Sequence, residues 1–351
     1  MENPLLELYS DYLLSSFAQT TATGLSRLLD NAYSHDQITR FLAGAELTSR
    51  DLWRLAKKPL RAIESDDGVL IFDDTIEEKP YTDENEIIAW HFDHCQNRTV
   101  KGVNILNCLY RAGEVSIPVA FEIVHKDLLY CEVETRRVKR QSSVTKNEHL
   151  RAMLGVCRQN QLRYRYVLTD NWFSSKENMA FIKVDLDKDF IMSLKSNRTA
   201  ALSLEDQRQG RFVRVDALPL EDNTAKLAYL KGVPFPVMLA KQVFTNKDGS
   251  TGVLYLASSD LLLTYDRITA IYQKRWSVEV FHKSIKSNAG LARSPTHTVR
   301  TQSNHFFASI YAFLKLERLK MKHQVNHFAL RAKLYLKALQ ASFAELQKLS
   351  A

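Results

Sequence analysis

The spacing of apolar residues predicts a helical beginning to the chain. Across residues 1–62, apolar side chains recur at helical intervals, as in LLELYSDYLLSSF and TTATGLSRLLDNAY. Two stretches, SHDQITRFLAGAE and LTSRDLWRLAKKPLRAIE, are predicted to form a helix-turn-helix pair with Gly44 near the turn. Ser34, Thr48 and Ser49 are the candidate N-caps.

From residue 63 to 197 the pattern changes to short apolar runs bounded by turns. GVLIFDD, KGVNILNCLYRA and EVSIPVAFEIVHK are predicted strands, followed by the helix KNEHLRAMLGVCRQNQ. A strand (YRYVLTD), a helix (SKENMAFIKVDL) and a last strand (DFIMSLKS) complete the region. The order β-β-β-α-β-α-β predicts an α/β fold with a ribonuclease-H-like core, a mixed sheet flanked by helices. The absence of a G-x-G-x-x-G or phosphate-loop motif argues against a nucleotide-binding α/β fold.

The rest of the chain shows two different patterns of apolar residues. Residues 198–262 contain short apolar runs broken by Pro, Gly and Asn-Lys-Asp-Gly, which predicts a β-rich insertion. One long helix is then predicted from about residue 266 to 290, and further amphipathic helices follow to the end. The simplest arrangement places the insertion between the last strand and the last helix of the core.

Positive charge is concentrated near the C-terminus. The formal net charge is +8, but residues 264–351 contain 15 Lys and Arg against four Asp and Glu. The preceding residues therefore sum to −3, so the positive field belongs to the last quarter of the chain. Such a block is a candidate surface for a phosphate backbone, and its alternative is an ordinary solvated helix face.

Several classes of protein are excluded. The longest apolar runs, such as VLIF, fall far short of the roughly 18 residues of a membrane span, and the acidic N-terminus does not resemble a signal peptide. We therefore expect a cytoplasmic protein without a membrane partner. Four cysteines without a Cys-x-x-Cys pair favour neither a disulfide framework nor a zinc ribbon. The cluster His91-x-x-His94-Cys95 is better explained as a polar strand than as a zinc site.

Two aspartates follow apolar runs. Asp73 comes after VLIF, and Asp170 comes after YRYVLT, so each is predicted at the end of a buried strand. Burying an ionised carboxylate costs free energy unless it is paired or binds a metal. The alternative is that each aspartate caps a turn or a helix, as Asp170 could do before NWFSSKEN.

A third carboxylate lies in a helical pattern. Tyr272, Arg275, Glu279 and Lys286 fall within a stripe about 60° wide when each residue turns the helix by about 100°. Apolar residues occupy a separate arc that predicts the core-facing side: Ile271, Val278, Phe281 and Ile285. The alternative is a solvent-exposed stripe in which Arg275 simply pairs with Glu279 at i, i+4.

The spacing Tyr-x2-Arg-x3-Glu-x6-Lys at these four positions resembles the YREK signature of bacterial insertion-sequence DDE transposases. In that family the first aspartate ends a buried strand, as in LIFDDT, and the second precedes an aromatic-containing turn, as in LTDNWF. A β-strand insertion before the glutamate is also typical of it. The likeness covers about residues 65–295.

This resemblance implies a catalytic triad of Asp73, Asp170 and Glu279 that holds two Mg²⁺ or Mn²⁺ ions for DNA cleavage and strand transfer. Asp73 would bridge the ions, although Asp74 competes for its place. Arg275 and Lys286 would grip phosphates beside the scissile bond, and Tyr272 would contact the terminal nucleotide. The insertion lacks the tryptophan that relatives use for a flipped base, which leaves Phe212, Tyr229, Phe244 or Tyr255 for that step.

The partners implied are double-stranded DNA, as transposon terminal inverted repeats and target, and a second copy of the chain in the synaptic complex. Further candidate DNA contacts are basic residues after residue 290 and a predicted loop with four cations: Arg293, Arg300, Lys315, Arg318, Lys320 and Lys322, then Arg136, Arg137, Lys139 and Arg140.

The predicted organisation has five parts. They are a DNA-binding helical region at 1–62, core segments at 63–197 and 263–295, the insertion at 198–262, and a basic helical region at 296–351. The alternatives to a transposase are a catalytically inactive DNA-binding or inhibitory relative and an unrelated metal-dependent nuclease of the same fold.

Overall fold

The computed structural model describes residues 3–93, 96–134, 136–246 and 248–350. Its first part is helical, as the apolar spacing predicts, with four helices: α1 (Pro4–Ser15), α2 (Ala22–Leu28), α3 (His35–Leu42) and α4 (Ser49–Ile63). Ser34 and Thr48 are the N-caps of α3 and α4, where each is paired with the residue three positions later. Ser49 is the first residue of α4, and its hydroxyl donates to the carbonyl oxygen of Phe121 at 2.6 Å.

A large mixed sheet follows the N-terminal helices. Its first strands are β1 (Val69–Glu78), β2 (Ala89–Asp93), β3 (Arg98–Ala112) and β4 (Val115–Ile123). After a separate hairpin and a helix come β7 (Tyr166–Thr169) and β8 (Asp189–Leu194). The strands β4, β3, β1, β7 and β8 lie side by side in that order. Antiparallel pairing joins β1, β3 and β4, and parallel pairing joins β1, β7 and β8, which is the ribonuclease-H-like arrangement predicted from the order of elements.

β1 is longer than predicted. We expected Asp73 at the end of its strand, but β1 continues to Glu78, so that expectation is wrong. The reason is the long partner β3, which pairs with β1 over its whole length, from Val69 opposite Arg111 to Glu78 opposite Gly102. Only the first, buried part of this strand is a run of apolar residues, so the sequence pattern does not reveal how far the strand continues.

The insertion adds strands to the same sheet. It contains β9 (Thr199–Ala201), β10 (Val213–Arg214), β11 (Thr224–Leu230), β12 (Val237–Thr245) and β13 (Thr251–Ser258), with the short helix α7 (Leu204–Arg208). β13 pairs antiparallel with β8, and the sheet then runs on through β12, β11, β9 and β10. The β-rich character of this region was predicted correctly, and the structure shows that these strands extend the large mixed sheet.

The basic segment predicted as a loop is a strand. β5 (Leu128–Glu132) and β6 (Arg137–Gln141) form a two-stranded hairpin apart from the large sheet. Arg137, Lys139 and Arg140 lie on β6, and Arg136 lies in the turn with a positive φ of 54°. The prediction of a loop was wrong because this segment pairs antiparallel with β5, from Leu128 opposite Gln141 to Glu132 opposite Arg137.

Helices cover the sheet. α5 (Lys146–Gln159) precedes β7, and α6 (Lys176–Ala180) continues into a wider π-helical turn at Phe181–Asp185. The C-terminal part contains α8 (Tyr265–Gln273), α9 (Trp276–Ser287), α10 (Val299–His323) and α11 (His327–Ser350). No helix in the described ranges combines the length and apolar character needed to cross a membrane.

The predicted single helix at 266–290 is interrupted. Lys274 and Arg275 keep right-handed backbone angles, but their amides bond three residues back, to Ile271 and Tyr272, so α8 and α9 meet at a tight turn. The predicted core-facing residues Ile271, Val278, Phe281 and Ile285 are all buried. The interruption therefore leaves the apolar face continuous.

His91 lies buried within β2, which agrees with a strand at this position. His94 and Cys95 lie outside the described residues.

Candidate active site

Asp73 and Asp170 lie beside each other because of the parallel pairing of β1 and β7. The last parallel partners are Phe72 and Thr169, so the next residue on each strand is an aspartate. This position is the carboxyl end of parallel strands, where open α/β sheets place their ligands. Asp170 accepts a hydrogen bond from the backbone N–H of Trp172 at 3.0 Å, so it also shapes the turn, as the capping alternative anticipated.

Asp73 and Asp74 point to opposite faces of the sheet, because successive side chains on a strand alternate. The Asp73 carboxylate accepts a hydrogen bond from Arg275 at 3.0 Å. The Asp74 carboxylate instead accepts from Lys146 at 2.7 Å and from Asn104 at 2.5 Å. Only Asp73 therefore shares a face with the helix that carries Glu279.

Arg275 connects the sheet to α9. Its guanidinium lies 3.0 Å from Asp73 and 3.6 Å from Glu279. The ion pair between Arg275 and Glu279 at i, i+4, which was the alternative considered from the sequence, is therefore present. It is one half of a bridge, because Arg275 also bonds to Asp73. The Arg275 side chain is 18% exposed and that of Glu279 is 41% exposed, so the bridge lies at the mouth of the site.

The carboxylates crowd negative charge into a partly buried space. Burial raises the pKa of Asp73 to about 7, and the charge of Asp170 raises it as well, while Arg275 lowers it. Burial also raises the pKa of Asp170, against hydrogen bonding from Trp172 and the charge of Arg275. Burial lowers the pKa of Arg275, but the nearby Tyr272 and the carboxylates of Asp73, Glu279 and Asp170 raise it by more, so that it lies above its usual value. The positive charge of Arg275 therefore does not offset burial and the mutual repulsion of the carboxylates in this site.

Tyr272 and Lys286 flank this bridge. The Tyr272 hydroxyl donates to the carbonyl oxygen of Thr169 at 3.3 Å, next to Asp170. The Lys286 ammonium donates to the carbonyl oxygen of Ile76 on β1 at 2.5 Å. All four residues of the predicted stripe thus face the strands that carry the aspartates.

The donor chemistry fits a hard divalent cation, since all three carboxylates supply oxygen ligands. Within the described residues, no group of three or more His, Cys, Asp or Glu side chains is close enough to form a ready-made metal cage. In this conformation the Arg275 guanidinium supplies the positive charge between Asp73 and Glu279.

Sequence reasoning missed a basic and aromatic surface beside Asp170. Trp172 is 44% exposed, and the ammonium groups of Lys146 and Lys195 lie 5.8 and 5.1 Å from its ring centroid. An aromatic ring with nearby cations is suited to a nucleotide. The aromatic residue in LTDNWF was the available signal, but its lysine neighbours come from α5 and from the segment after β8.

The candidate DNA contacts differ in how much of their charge is available. Lys315 is paired with Glu7 and Asp11 at 2.7 Å each, Arg300 with Glu46 at 3.4 Å, and Lys320 with Glu317 at 3.3 Å. Arg293 donates to the carbonyl oxygens of Ser16 and Ser287. These four C-terminal cations are therefore engaged in bonds within the fold.

On the β5–β6 hairpin, Arg136 and Arg137 are exposed, whereas Lys139 pairs with Glu132 and Arg140 is half-buried. Arg136 and Arg137 therefore present the most accessible positive charge of this hairpin.

The aromatic residues of the insertion also differ in accessibility. Phe244 is 44% exposed, Phe212 and Tyr229 are half-buried, and Tyr255 is buried. Of these four rings, Phe244 offers the most surface to a ligand.

Comparisons with known families agree with this arrangement. The family described as DDE superfamily endonuclease matches residues 3–215, which include Asp73 and Asp170. The family described as transposase DDE domain matches residues 131–314, which include Asp170 and Glu279. No curated protein matches the sequence. Each family match covers more than half of the chain, and the chain therefore belongs to the DDE superfamily of transposases and endonucleases.

Proposed function

We propose that this protein is a cut-and-paste transposase of the YREK group, which binds transposon terminal inverted repeats, cleaves DNA at their ends and joins those ends to target DNA. The observation that carries the proposal is the bridge from Asp73 through Arg275 to Glu279, next to Asp170. A purely structural ion pair on a solvent-exposed face would not require two aspartates in adjacent parallel registers beneath it.

Asp73, Asp170 and Glu279 would hold two divalent ions, Mg²⁺ or Mn²⁺. When bound, such ions lower the pKa of an attacking water or 3′-hydroxyl and stabilise charge on the leaving oxygen. The raised pKa values of Asp73 and Asp170 support this role, because a site that disfavours further negative charge favours added cations.

The remaining residues would position DNA. Arg275 can exchange its bonds to Asp73 and Glu279 for a phosphate, which guanidinium groups bind in the same forked geometry as carboxylates. Lys286 and Tyr272 would hold the adjoining phosphate and nucleotide, and Trp172 with Lys146 and Lys195 would provide a surface for a base. Arg293 and the hairpin residues Arg136, Arg137, Lys139 and Arg140 would lie along the flanking duplex.

The test is a labelled transposon-end duplex assayed for mobility shift and for nicking with Mg²⁺ or Mn²⁺. Glu279→Gln keeps the size of the side chain but removes its charge, so nicking should collapse while folding and DNA binding persist. If the Glu279 carboxylate only paired with Arg275, the loss would be about 0.3–0.5 kcal/mol of stability and nicking would continue.

Asp73→Asn and Asp74→Asn form a matched pair on opposite faces of one strand. We expect Asp73→Asn and Asp170→Asn to abolish nicking and Asp74→Asn to retain a measurable rate. Near wild-type nicking by Glu279→Gln would overturn the catalytic assignment. DNA binding without nicking by the wild type would favour an inactive DNA-binding relative, and nicking without end joining would favour a nuclease.

A further inference from the structure

Asn107 on β3 is a buried polar residue beside the candidate catalytic aspartates. It lies directly opposite Asp73 in the antiparallel pairing of β1 with β3. Side chains at such paired positions project from the same face of the sheet, with their Cβ atoms about 4.5–5.5 Å apart. Asn107 is 1% exposed, so its amide group depends on hydrogen-bond partners within the fold.

The nitrogen of this amide is satisfied. Asn107 Nδ2 donates to the carbonyl oxygen of Ile105 at 3.1 Å and lies 3.3 Å from Nε2 of His282 on α9. The Ile105 carbonyl can only accept, which fixes the nitrogen on this side of the amide. Nε2 of His282 then accepts the second amide proton, and the imidazole proton lies on Nδ1. Both N–H bonds are therefore used, and the orientation of the amide is set.

The oxygen of the same amide lacks a donor. Asn107 Oδ1 is buried and has no hydrogen-bond partner among the residues that the structure describes. Its neighbour across the strands is the Asp73 carboxylate, which is also an acceptor when ionised. The cation next to Asp73 is the Arg275 guanidinium, at 3.0 Å. An amide oxygen and a carboxylate on neighbouring strands thus form an oxygen-rich position that a positive ion would complete.

We propose that Asn107 Oδ1 is a further oxygen donor for the divalent ion that Asp73 would hold, and that His282 is a positioning residue that keeps this oxygen free for the ion. The inference rests on the proposed function, because it presupposes an ion at Asp73. Carbonyl-type oxygens suit Mg²⁺ and Mn²⁺, and an amide adds no charge to a site that already contains three carboxylates. The ion would replace the positive charge that Asp73 loses when Arg275 turns to a phosphate.

The test is binding of Mn²⁺ alone to the full chain, followed by electron paramagnetic resonance of the unbound ion. Asn107→Leu keeps the approximate size of the side chain but removes the oxygen, and we expect it to weaken Mn²⁺ binding about tenfold. Asn107→Asp keeps an oxygen at this position and should bind Mn²⁺ at least as tightly as the wild type. Both variants lose the bonds of Nδ2, so a purely structural role would affect both in the same direction. Unchanged affinity in Asn107→Leu, or equal weakening in both variants, would overturn the proposal.

Asn104→Leu is the matched control. Asn104 is also buried on β3, and its Oδ1 likewise has no partner among the described residues. It lies on the opposite face of the sheet, where its Nδ2 donates to Asp74. The substitution should leave the Mn²⁺ affinity unchanged, and weaker binding would place the ion on the Asp74 face and contradict the proposal.

Two substitutions of His282 test the positioning role. His282→Leu cannot accept the amide proton, so Asn107 becomes free to rotate and Mn²⁺ binding should weaken. The side-chain oxygen of His282→Gln can accept that proton, and this variant should recover most of the affinity. Equal affinities for the two variants would exclude the role of His282.

The same titration separates this inference from the proposed function. A wild-type chain that binds no Mn²⁺ would count against the metal chemistry itself and the inference with it. A wild-type chain that binds Mn²⁺, together with an Asn107→Leu variant of equal affinity, would remove only the role of Asn107.

Discussion

At the scale of single residues, the carboxylates of this protein show how burial and charge act against each other. Asp73 keeps a cationic neighbour in Arg275 and still has a raised pKa, because burial and the nearby Asp170 act together. Glu122 on β4 is a simpler case. Burial raises its pKa to about 7, and the charge of Glu46 adds to the effect. The fold therefore holds Glu122 in an environment that disfavours its ionised form.

Glu122→Gln should make stability less dependent on pH. The ordinary pKa of Glu is 4.5 and the folded value is about 7, so the folded state binds more protons than the unfolded state between these values. Wild-type stability should therefore fall as the pH rises from about 4.5 to 7. We expect the variant to gain about 1–3 kcal/mol above pH 7 and little at pH 4.

Urea unfolding at several pH values measures this gain. Glu114→Gln is the control, because Glu114 lies on the exposed turn before β4 and should shift stability little. An equal gain for Glu122→Gln at pH 4 and pH 8 would contradict the explanation.

The placement of the site residues was predictable from the sequence where it depended on local spacing along a helix. The positions of Tyr272, Arg275, Glu279 and Lys286 placed them on one face, and the structure brings that face onto the strands with Asp73 and Asp170. The partnership of Lys146 with Asp74 was not predictable, since it joins residues 72 positions apart through the docking of α5. Such contacts depend on tertiary packing that no local pattern encodes.

At the scale of elements, the pairing of β1 with β3 depends on one glycine. Gly102 on β3 pairs with Glu78, and a Cβ atom at Gly102 would lie 2.3 Å from the carbonyl oxygen of Glu77. The obstacle is backbone, which cannot rotate away as a flexible side chain would. The close approach of these strands also fixes Ile76, whose carbonyl oxygen accepts from Lys286.

Gly102→Ala should therefore destabilise the protein by about 2 kcal/mol or more, because the two strands must separate to admit the methyl group. Gly155→Ala is the matched control. Gly155 lies within α5 with nothing within 4 Å of an added Cβ, so this change should stabilise by about 0.5–1 kcal/mol. Thermal unfolding of both variants tests the pair, and a neutral Gly102→Ala would show that the strands can separate without cost.

Element types followed from periodicity, whereas their interruptions and partners did not. The break at Lys274 and Arg275 leaves the apolar spacing of α8 and α9 in register, so the sequence reads as one helix. The insertion strands were evident from their short apolar runs, but β13 pairs with β8 across about 60 residues. Which edge a strand joins is decided by long-range pairing.

At the scale of the whole molecule, the net charge of a segment overestimates how much of its positive charge is available to DNA. Residues 264–351 carry a net charge of +11, from 15 Lys and Arg against four Asp and Glu, yet Lys315, Arg300 and Lys320 pair with carboxylates of the same chain. The exposed arginines of the hairpin, Arg136 and Arg137, lie on a part of the chain whose overall charge is not positive.

The salt dependence of DNA binding should separate these two groups. Each phosphate contact contributes about −0.9 to the slope of log affinity against log salt concentration, so Arg136→Gln/Arg137→Gln should reduce its magnitude by about 2. Lys315→Gln should leave the slope unchanged and lower the unfolding temperature, because it breaks the pairs with Glu7 and Asp11. Fluorescence anisotropy with a labelled duplex measures the slope, and a reduced slope for Lys315→Gln would place that residue on the DNA surface instead.

The docking of α1 on α10 affects how the chain is made. The Tyr9 hydroxyl bonds to Nδ1 of His305 at 3.0 Å, and Lys315 donates to the backbone of Glu7, across separations of 296 and 308 residues. At about 5–20 residues per second, α1 leaves the ribosome roughly 15–60 s before its partner. The apolar face of α1, with Leu6, Tyr9 and Leu13, is buried only in the finished fold, so during translation it is open to chaperones. A chain released before α10 is complete would keep that face exposed and become a substrate for proteolytic quality control.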